Sequence, residues 1–417
     1  MTGDGEMVPV VEAIEQIARH DRGRLLSSLV WSLRDFQLAE DSLQDAFESA
    51  LVHWGRNGLP ASAHGWLMQV ARRKAIDRLR RSSSLRAKSD EIAYLAEQEN
   101  RSVTDDDPDP IGDERLKLIF ACCHPALDAK TCVALTLRSV CGLRTEEIAS
   151  AFLDSHEAMA QRLVRARHKI ARAGIAYAVP GPDGWAERLE TVLASVYLIF
   201  NEGYASQGGQ HIRVDLCEEA LRLGRLLVAL RPDEPEIEGL LALMLLHHAR
   251  RAARLGKAGE ILTLEAQDRS LWDRTGIAEG AALIEQALRR GRPGPYQLQA
   301  AIIAVHADAE SFADTNWAEI ACLYDELART GNNPVYELNR IVALSYVEGP
   351  AAALAHLEPI AMALLQYQPF HAVQADLLSR LGETGAAAVA YRRAIDLSQS
   401  TAERLFLQQR LEALGGG

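Results

Sequence analysis

Apolar residues recur along most of this chain at three- and four-residue intervals, the spacing of helices that each bury one face. Residues 10–33 carry Ile14, Ile17, Leu25, Leu29 and Leu33 in that register. From 35 to 54, Leu38, Leu43, Phe47, Leu51 and Trp54 predict an inward stripe, and Asp41, Asp45 and Glu48 share the opposite face. Between Trp66 and Lys88, Leu67, Val70, Ala71, Ala75 and Leu79 predict one buried face, and Arg72, Arg73, Arg78, Arg80 and Arg81 crowd the rest. A short helix is predicted from about Thr145 to Leu153. Thr145 is its candidate N-cap, Glu146 and Glu147 favour its positive end, and Ile148, Ala149 and Phe152 lie on one face. Asp154 or Ser155 then offers an oxygen to cap a second helix, with Glu157 in the first turn. In that helix Met159, Leu163, Ala166 and Ile170 predict the buried side, while Arg162, Arg165, Lys169 and Arg172 form a cationic stripe. A capped helix with a cationic stripe beside a shorter helix is the physical plan of a helix-turn-helix, in which positive charge meets phosphates and the first turn meets base edges. The bland alternative is a solvated surface helix of an α-bundle.

Composition narrows the picture without redirecting it. Across 417 residues, 48% hydrophobic content suffices for two or three cores, while the low aromatic share of 6% and the few β-branched runs point to an all-α chain. No stretch approaches the length of uninterrupted apolar sequence that spans a bilayer, and the N-terminus is acidic, so neither a membrane helix nor a signal peptide is expected and a cytoplasmic location is. The six cysteines lack disulfide-like spacing. Cys122-Cys123-His124 has no second metal-ligand pair nearby, so buried small residues are the expected role, with no metal and no cofactor.

Net charge is −12, which disfavours an indiscriminate nucleic-acid binder, but the charge is segregated. Residues 1–176 hold 24 Lys and Arg against 26 Asp and Glu; residues 177–417 hold 21 against 31. Within the first part, 35–54 is acidic, Trp66 to Lys88 carries eight basic residues against Asp77 alone, and 89–114 reverses again to ten acids against Arg101. One aromatic, Trp66, opening a basic helix behind the turn-rich loop 55–65 suits single-stranded or melted DNA, where backbone charge gives affinity and a flat side chain or pocket holds an unstacked base. Residues 89–112 read as an acidic linker and 177–186 as a hinge.

The C-terminal half is helical with a degenerate repeat. Segments 334–357 and 369–395 align helix-turn-helix on helix-turn-helix at a period of about 35, near the roughly 34 of tetratricopeptide units, and 213–255 is a third candidate. Such units stack because none can bury its face singly. Asn201, Glu202 and Tyr204, the pair His247-His248 and the pair Asp268-Arg269 are polar clusters, yet no nucleotide loop, metal-ligand spacing or nucleophile motif accompanies them, so an enzyme is not expected.

Three motifs then carry a family resemblance. AEDSLQDAFESALVHW (39–54) resembles the core-polymerase-binding helix of bacterial sigma factor region 2, and GWLMQVARRKAIDRLRR (65–81) resembles the adjoining helix that melts and reads the −10 element. LTLRSVCGLRTEEIASAFLDSHEAMAQRLVRARHKI (135–170) resembles the region 4 helix-turn-helix that reads the −35 element. Two such modules in this order, joined by an acidic linker, resemble the extracytoplasmic-function (ECF) type. YLIFNEGY (197–204), QDRSLWDR (267–274) and RGRPGPYQLQAAIIAVHA (290–307) resemble the ECF group with a C-terminal tetratricopeptide-like (TPR-like) domain.

The resemblance implies region 2 over 1–88, region 4 over 113–176 and a TPR-like α-solenoid over 187–417 that modulates activity. It implies core RNA polymerase (clamp and flap) and promoter DNA as partners, with a protein or small ligand for the C-terminal domain. Asp41, Asp45 and Glu48 would dock on the polymerase clamp; Trp66, Arg72, Arg73, Arg78 and Arg81 would serve the −10 strand. Ser155, His156, Ala158, Met159 and Arg162 would approach −35 base edges, with Arg165, Lys169 and Arg172 on phosphates. A one-component regulator using only the helix-turn-helix is the alternative; it leaves the acid-then-base block of 35–88 unexplained.

Overall fold

The computed structural model describes all residues except 1–3, 34, 82–110, 153, 173–179, 181, 205–213, 257–261, 332, 399–400 and 415–417. The fold is all-α. The expected acidic linker lies almost wholly outside the described residues; of the expected hinge, 177–179 and 181 do, and its last residues, 182–186, open a helix instead. The chain separates into two compact units, Met1–Leu198 and Ile199–Gly417, so the division falls twelve residues beyond that hinge.

The first unit holds α1 (Asp4–His20), α2 (Arg22–Leu33), α3 (Phe36–Asn57), α4 (Ala63–Arg81), α5 (Ile111–Cys122), α6 (Ala129–Ser139), α7 (Thr145–Ala151), α8 (His156–Arg172) and most of α9 (Pro182–Tyr204). Local chemistry sets the boundaries. The Asp35 carboxylate accepts from the Leu38 N–H at 3.0 Å and starts α3, and Asp128 does the same for Thr131 in α6. After α6, Gly142 adopts φ 76° while the Leu143 N–H returns to the Leu137 carbonyl at 3.0 Å, the Schellman closure expected of a glycine there. Gly142 has a second reason to lack a side chain, because a Cβ would lie 2.3 Å from the Ala18 carbonyl oxygen of α1.

Leu26, Leu29, Leu43, Trp54 and Leu67 are fully buried where α2, α3 and α4 pack together, and Leu118, Ile119, Phe120, Leu135 and Leu137 bury α5 and α6. Leu51 departs from the expected inward stripe: it is 46% exposed, because the buried face of the last turns runs through Ala46, Ala50 and Trp54 and leaves Leu51 to one side. The start of α9 belongs to this unit. Trp185 packs on Phe120 at 5.2 Å between ring centroids, and the Arg188 Nη2 donates to the Phe120 carbonyl at 2.6 Å.

The second unit runs from the end of α9 through α10 (Val214–Leu230), α11 (Pro235–Ala249), α12 (Arg274–Leu288), α13 (Pro295–Asp308), α14 (Trp317–Thr330), α15 (Pro334–Val347), α16 (Pro350–Leu357), α17 (Gln368–Arg380), α18 (Thr384–Leu397) and α19 (Thr401–Leu414). From α13 onward each helix packs on the next, and three successive apolar clusters centre on Leu327, Ile341 and Ala394. The segments 334–357 and 369–395 are helix pairs, α15 with α16 and α17 with α18. Proline supplies the first helical residue of α11, α13, α15 and α16, where the missing N–H costs nothing.

Candidate nucleic-acid and polymerase interface

The acidic helix α3 and the basic helix α4 pack side by side, and their charges meet. Arg78 donates from Nη1 to the Asp41 carboxylate at 3.0 Å and from Nη2 to Asp45 at 2.8 Å. These two acids hold the arginine in its charged form, and its affinity for the proton is raised chiefly by the Asp45 hydrogen bond. In the free protein Arg78 is thus paired with Asp41 and Asp45, all three partly exposed, where the sequence suggests a separate cation and a separate acidic face. The paired residues sit 33 and 37 positions apart, a separation at which spacing gives no warning. Glu48 stays exposed, in a hydrogen bond with Gln44.

Trp66 is also committed. Its ring stacks on His53 at 5.4 Å and meets Trp54 edge-on at 5.3 Å, which ties the start of α4 to the end of α3. It remains half-buried, so one edge is accessible beside the loop before α4. Arg73 is exposed and Arg72 half-buried, and both have partners within the protein. The side chain of Arg81 lies outside the described residues.

The second cationic surface is α8. Met159, Leu163, Ala166 and Ile170 are buried, as the periodicity predicts. Burial removes Met159 from the expected base-reading set: it is fully enclosed and fixes the helix rather than facing out. Ser155 caps the helix, its Oγ accepting from the Ala158 N–H at 3.2 Å. Asp154, the other capping candidate, instead receives Lys130 at 3.1 Å and Arg162 at 3.3 Å. Arg162 is thus drawn back toward the turn and half-buried. The expected Thr145 cap falls one residue late. Helix α7 begins at Thr145, and the Glu147 carboxylate reaches back to the Arg144 N–H at 2.7 Å. His156 lies 3.1 Å from Glu146.

Arg165, Lys169 and Arg172 face outward, as their spacing implies. Lys169 donates to the Ala126 carbonyl, which leaves Arg165 and Arg172 as the more open pair. Ser155, His156 and Ala158 are exposed at the first turn.

One constellation escaped the sequence reading. Glu40, 2% exposed on α3, is surrounded by three guanidiniums from three other helices: Arg22 of α2 at 3.2 Å, Arg138 of α6 at 3.6 Å and Arg167 of α8 at 2.7 Å. Burial lowers Arg22 to about 10, against the opposing pull of Glu40. Glu40 sits in the acidic run of α3 and Arg167 in the basic run of α8, so both read as surface charge in sequence. The inward phase of each helix was the available signal: Glu40 precedes the buried Leu43 by three residues and Phe47 by seven on the same helix, and Arg167 adjoins Ala166.

Cys122, Cys123, Cys132, Cys141 and Cys217 are buried, and burial pushes the Cys132 thiol up to about 12. Cys322 is exposed. Among the described residues no helix is long and apolar enough to cross a membrane.

Comparison with known proteins agrees with the α1–α4 geometry. A family model described as sigma-70 region 2 matches residues 17–84, and one described as a family of unknown function (DUF6596) matches residues 188–288. An uncharacterized protein of Rhizobium meliloti (strain 1021) is 43% identical over 396 residues, spanning 94% of this chain and 94% of that protein. No solved structure matches. The chain carries a sigma-70 region 2 domain, which supports a sigma-factor role in transcription initiation and implies core RNA polymerase and promoter DNA as partners. Along nearly its whole length, the chain belongs to the same family as the rhizobial protein.

Proposed function

We propose that this protein is an ECF-type sigma factor, a non-enzymatic polymerase subunit without a cofactor, whose C-terminal TPR-like unit modulates its activity. The observation that carries the reading is the sigma-70 region 2 match over 17–84, followed in the chain by a short helix and a capped cationic helix. In this reading region 2 docks on the polymerase clamp through the outer face of α3, where Glu48 and the exposed Leu51 and Val52 form a mixed acidic and apolar strip. Arg73 and the accessible edge of Trp66 serve the opened −10 strand. Helices α7 and α8 act as the −35 helix-turn-helix, with Ser155, His156 and Ala158 near base edges and Arg165 and Arg172 on phosphates, while the polymerase flap supports region 4. Phosphate contacts position the helix and first-turn contacts specify sequence.

Copurification with core polymerase tests the docking face. Glu48→Arg, together with Val52→Asp, is expected to abolish copurification while the far-UV spectrum stays unchanged, because both side chains are exposed. Unaltered copurification would make this strip ordinary solvated surface and remove the proposed docking mode.

A further inference from the structure

The polar residues Tyr204, His247 and Arg269 have no part in the sigma reading, yet the second unit brings them together. Three helix C-termini meet there: Tyr204 ends α9, His247 lies in the last turn of α11, and His306 lies in the last turn of α13. Arg254 donates to the Tyr204 carbonyl at 2.6 Å, and its guanidinium lies 3.6 Å from the Tyr204 ring centroid. Arg269 donates to the His306 and Ala309 carbonyls at 2.7 and 2.6 Å and lies 4.5 Å from the Trp272 ring centroid. Arg250, 6% exposed, places Nη2 3.1 Å from His247 Nδ1 and sits 5.8 Å from the same Trp272 ring.

Among the described residues, no carboxylate lies within ion-pairing distance of Arg250, Arg254 or Arg269. Their neighbours are paired: Arg225 with Glu279 at 3.0 Å, Arg290 with Glu238 at 2.8 Å and Arg251 with Asp273 at 4.0 Å. Arg250 is buried and Arg254 and Arg269 are half-buried, and buried arginines are ordinarily paired. The helix ends give partial compensation, each worth about half a negative charge, so three ends offset roughly half of three guanidinium charges. Hydrogen-bonding capacity is left over as well. Arg250 Nε, Arg269 Nη2 and Trp272 Nε1 are buried donors without a protein acceptor, and His306 Nδ1 beside them is likewise unmatched. A capping role accounts for Arg269, which holds two carbonyls. Arg250 holds no carbonyl: it hydrogen-bonds the Tyr204 side chain and lies against a histidine nitrogen, so neither contact neutralises its charge with a carboxylate.

We propose that Arg250, Arg254 and Arg269 form the binding site for a small oxyanion-bearing ligand, of phosphate or carboxylate class. Guanidinium forks match the oxygens of either group bidentately, and Trp272 Nε1 adds a neutral donor. Arg254 is half-buried, so the site has an accessible side through which a ligand enters. Burial and the neighbouring arginines hold His306 down to about 4, so it stays uncharged near neutrality and the cationic charge resides on the arginines. The inference does not depend on how the first unit acts.

The test uses the full-length chain, titrated with inorganic phosphate and separately with citrate at constant ionic strength set by chloride. Binding is read by tryptophan fluorescence and by the rise in Tm. Saturable binding of one or both probes is expected, weakened at least tenfold in Arg254→Gln, whose half-exposed position spares the fold. Arg250→Lys, which keeps the charge and loses the fork, is expected to weaken binding too. The tighter probe identifies the ligand class. Absence of saturation with both probes, or equal affinity in Arg254→Gln and the unaltered chain, would overturn the site. If Arg250→Lys fails to fold, Trp272→Phe followed by melting replaces it, with the same two outcomes.

Discussion

Glu40 concentrates the energetics of the first unit in one side chain. Its carboxylate faces Arg22, Arg138 and Arg167 where none can reach water freely. Removing one partner of a buried ionic cluster leaves the others uncompensated, at about 3–5 kcal/mol. Glu40→Ala is expected to destabilise the first unit by that amount in chemical unfolding; a change within about 0.5 kcal/mol would show that water already compensates the arginines. On the outer side of α8, Arg165→Ala and Arg172→Ala are each expected to weaken promoter binding evenly across sequences and to reduce the salt slope by about one. Lys169→Ala is expected to do less, since the Ala126 carbonyl already holds that amine. If Arg165→Ala changes which sequence is preferred, it reads bases rather than phosphates.

At the scale of elements, the apolar register of α3, α4, α7 and α8 was legible because burial there repeats with the helical period: Leu43, Leu67, Ile148, Met159 and Leu163 all face inward. What periodicity could not supply was pairing between elements. The junction of α3 with α4 pairs Arg78 with Asp41 and Asp45 and sets Trp66 against His53 and Trp54, and nothing local to either helix encodes that choice. The turn-rich stretch ahead of α9 suggested a boundary, but Trp185 and Arg188 anchor the first turns of α9 on Phe120. Trp185→Ala is therefore expected to lower the stability of the first unit by about 1–3 kcal/mol, less than a fully buried tryptophan because the ring is only half-covered. Truncation at Gly184 should produce at least the same loss, and an unchanged Tm would show that α9 contributes nothing there.

In the second unit, His306 of α13 is held to about 4, below its ordinary 6.5, by burial first and by Arg250 and Arg269 next. The folded state prefers the neutral ring. Its contribution is thus full above about pH 6.5 and lost as pH falls toward 4, on the order of 3 kcal/mol. His248, also held to about 4, acts in the same direction. His306→Gln is expected to flatten the fall in Tm of the second unit between pH 6.5 and 4; an unaltered slope would place the titration elsewhere.

For the molecule as a whole, the sigma reading imposes a length. Elements at −10 and −35 are 25 base steps apart, on the order of 85 Å at about 3.4 Å per step. A compact unit of 198 residues has a radius of gyration of about 16 Å, so α4 and α8 cannot reach both elements while Glu40 joins α3 to α8. Fluorophores on α4 and α8 should accordingly separate when core polymerase binds, and Glu40→Gln should raise the separated fraction beforehand. A fixed separation would mean that only one element is read.

The most direct test of the sigma assignment is transcription of fragmented genomic DNA by purified core polymerase, with and without the full-length protein, followed by sequencing of RNA 5′ ends. Initiation is expected at a discrete set of sites that share two upstream elements about 25 base pairs apart, present only when the protein is added and lost in Glu48→Arg with Val52→Asp. The same distribution of starts with and without the protein would contradict the account.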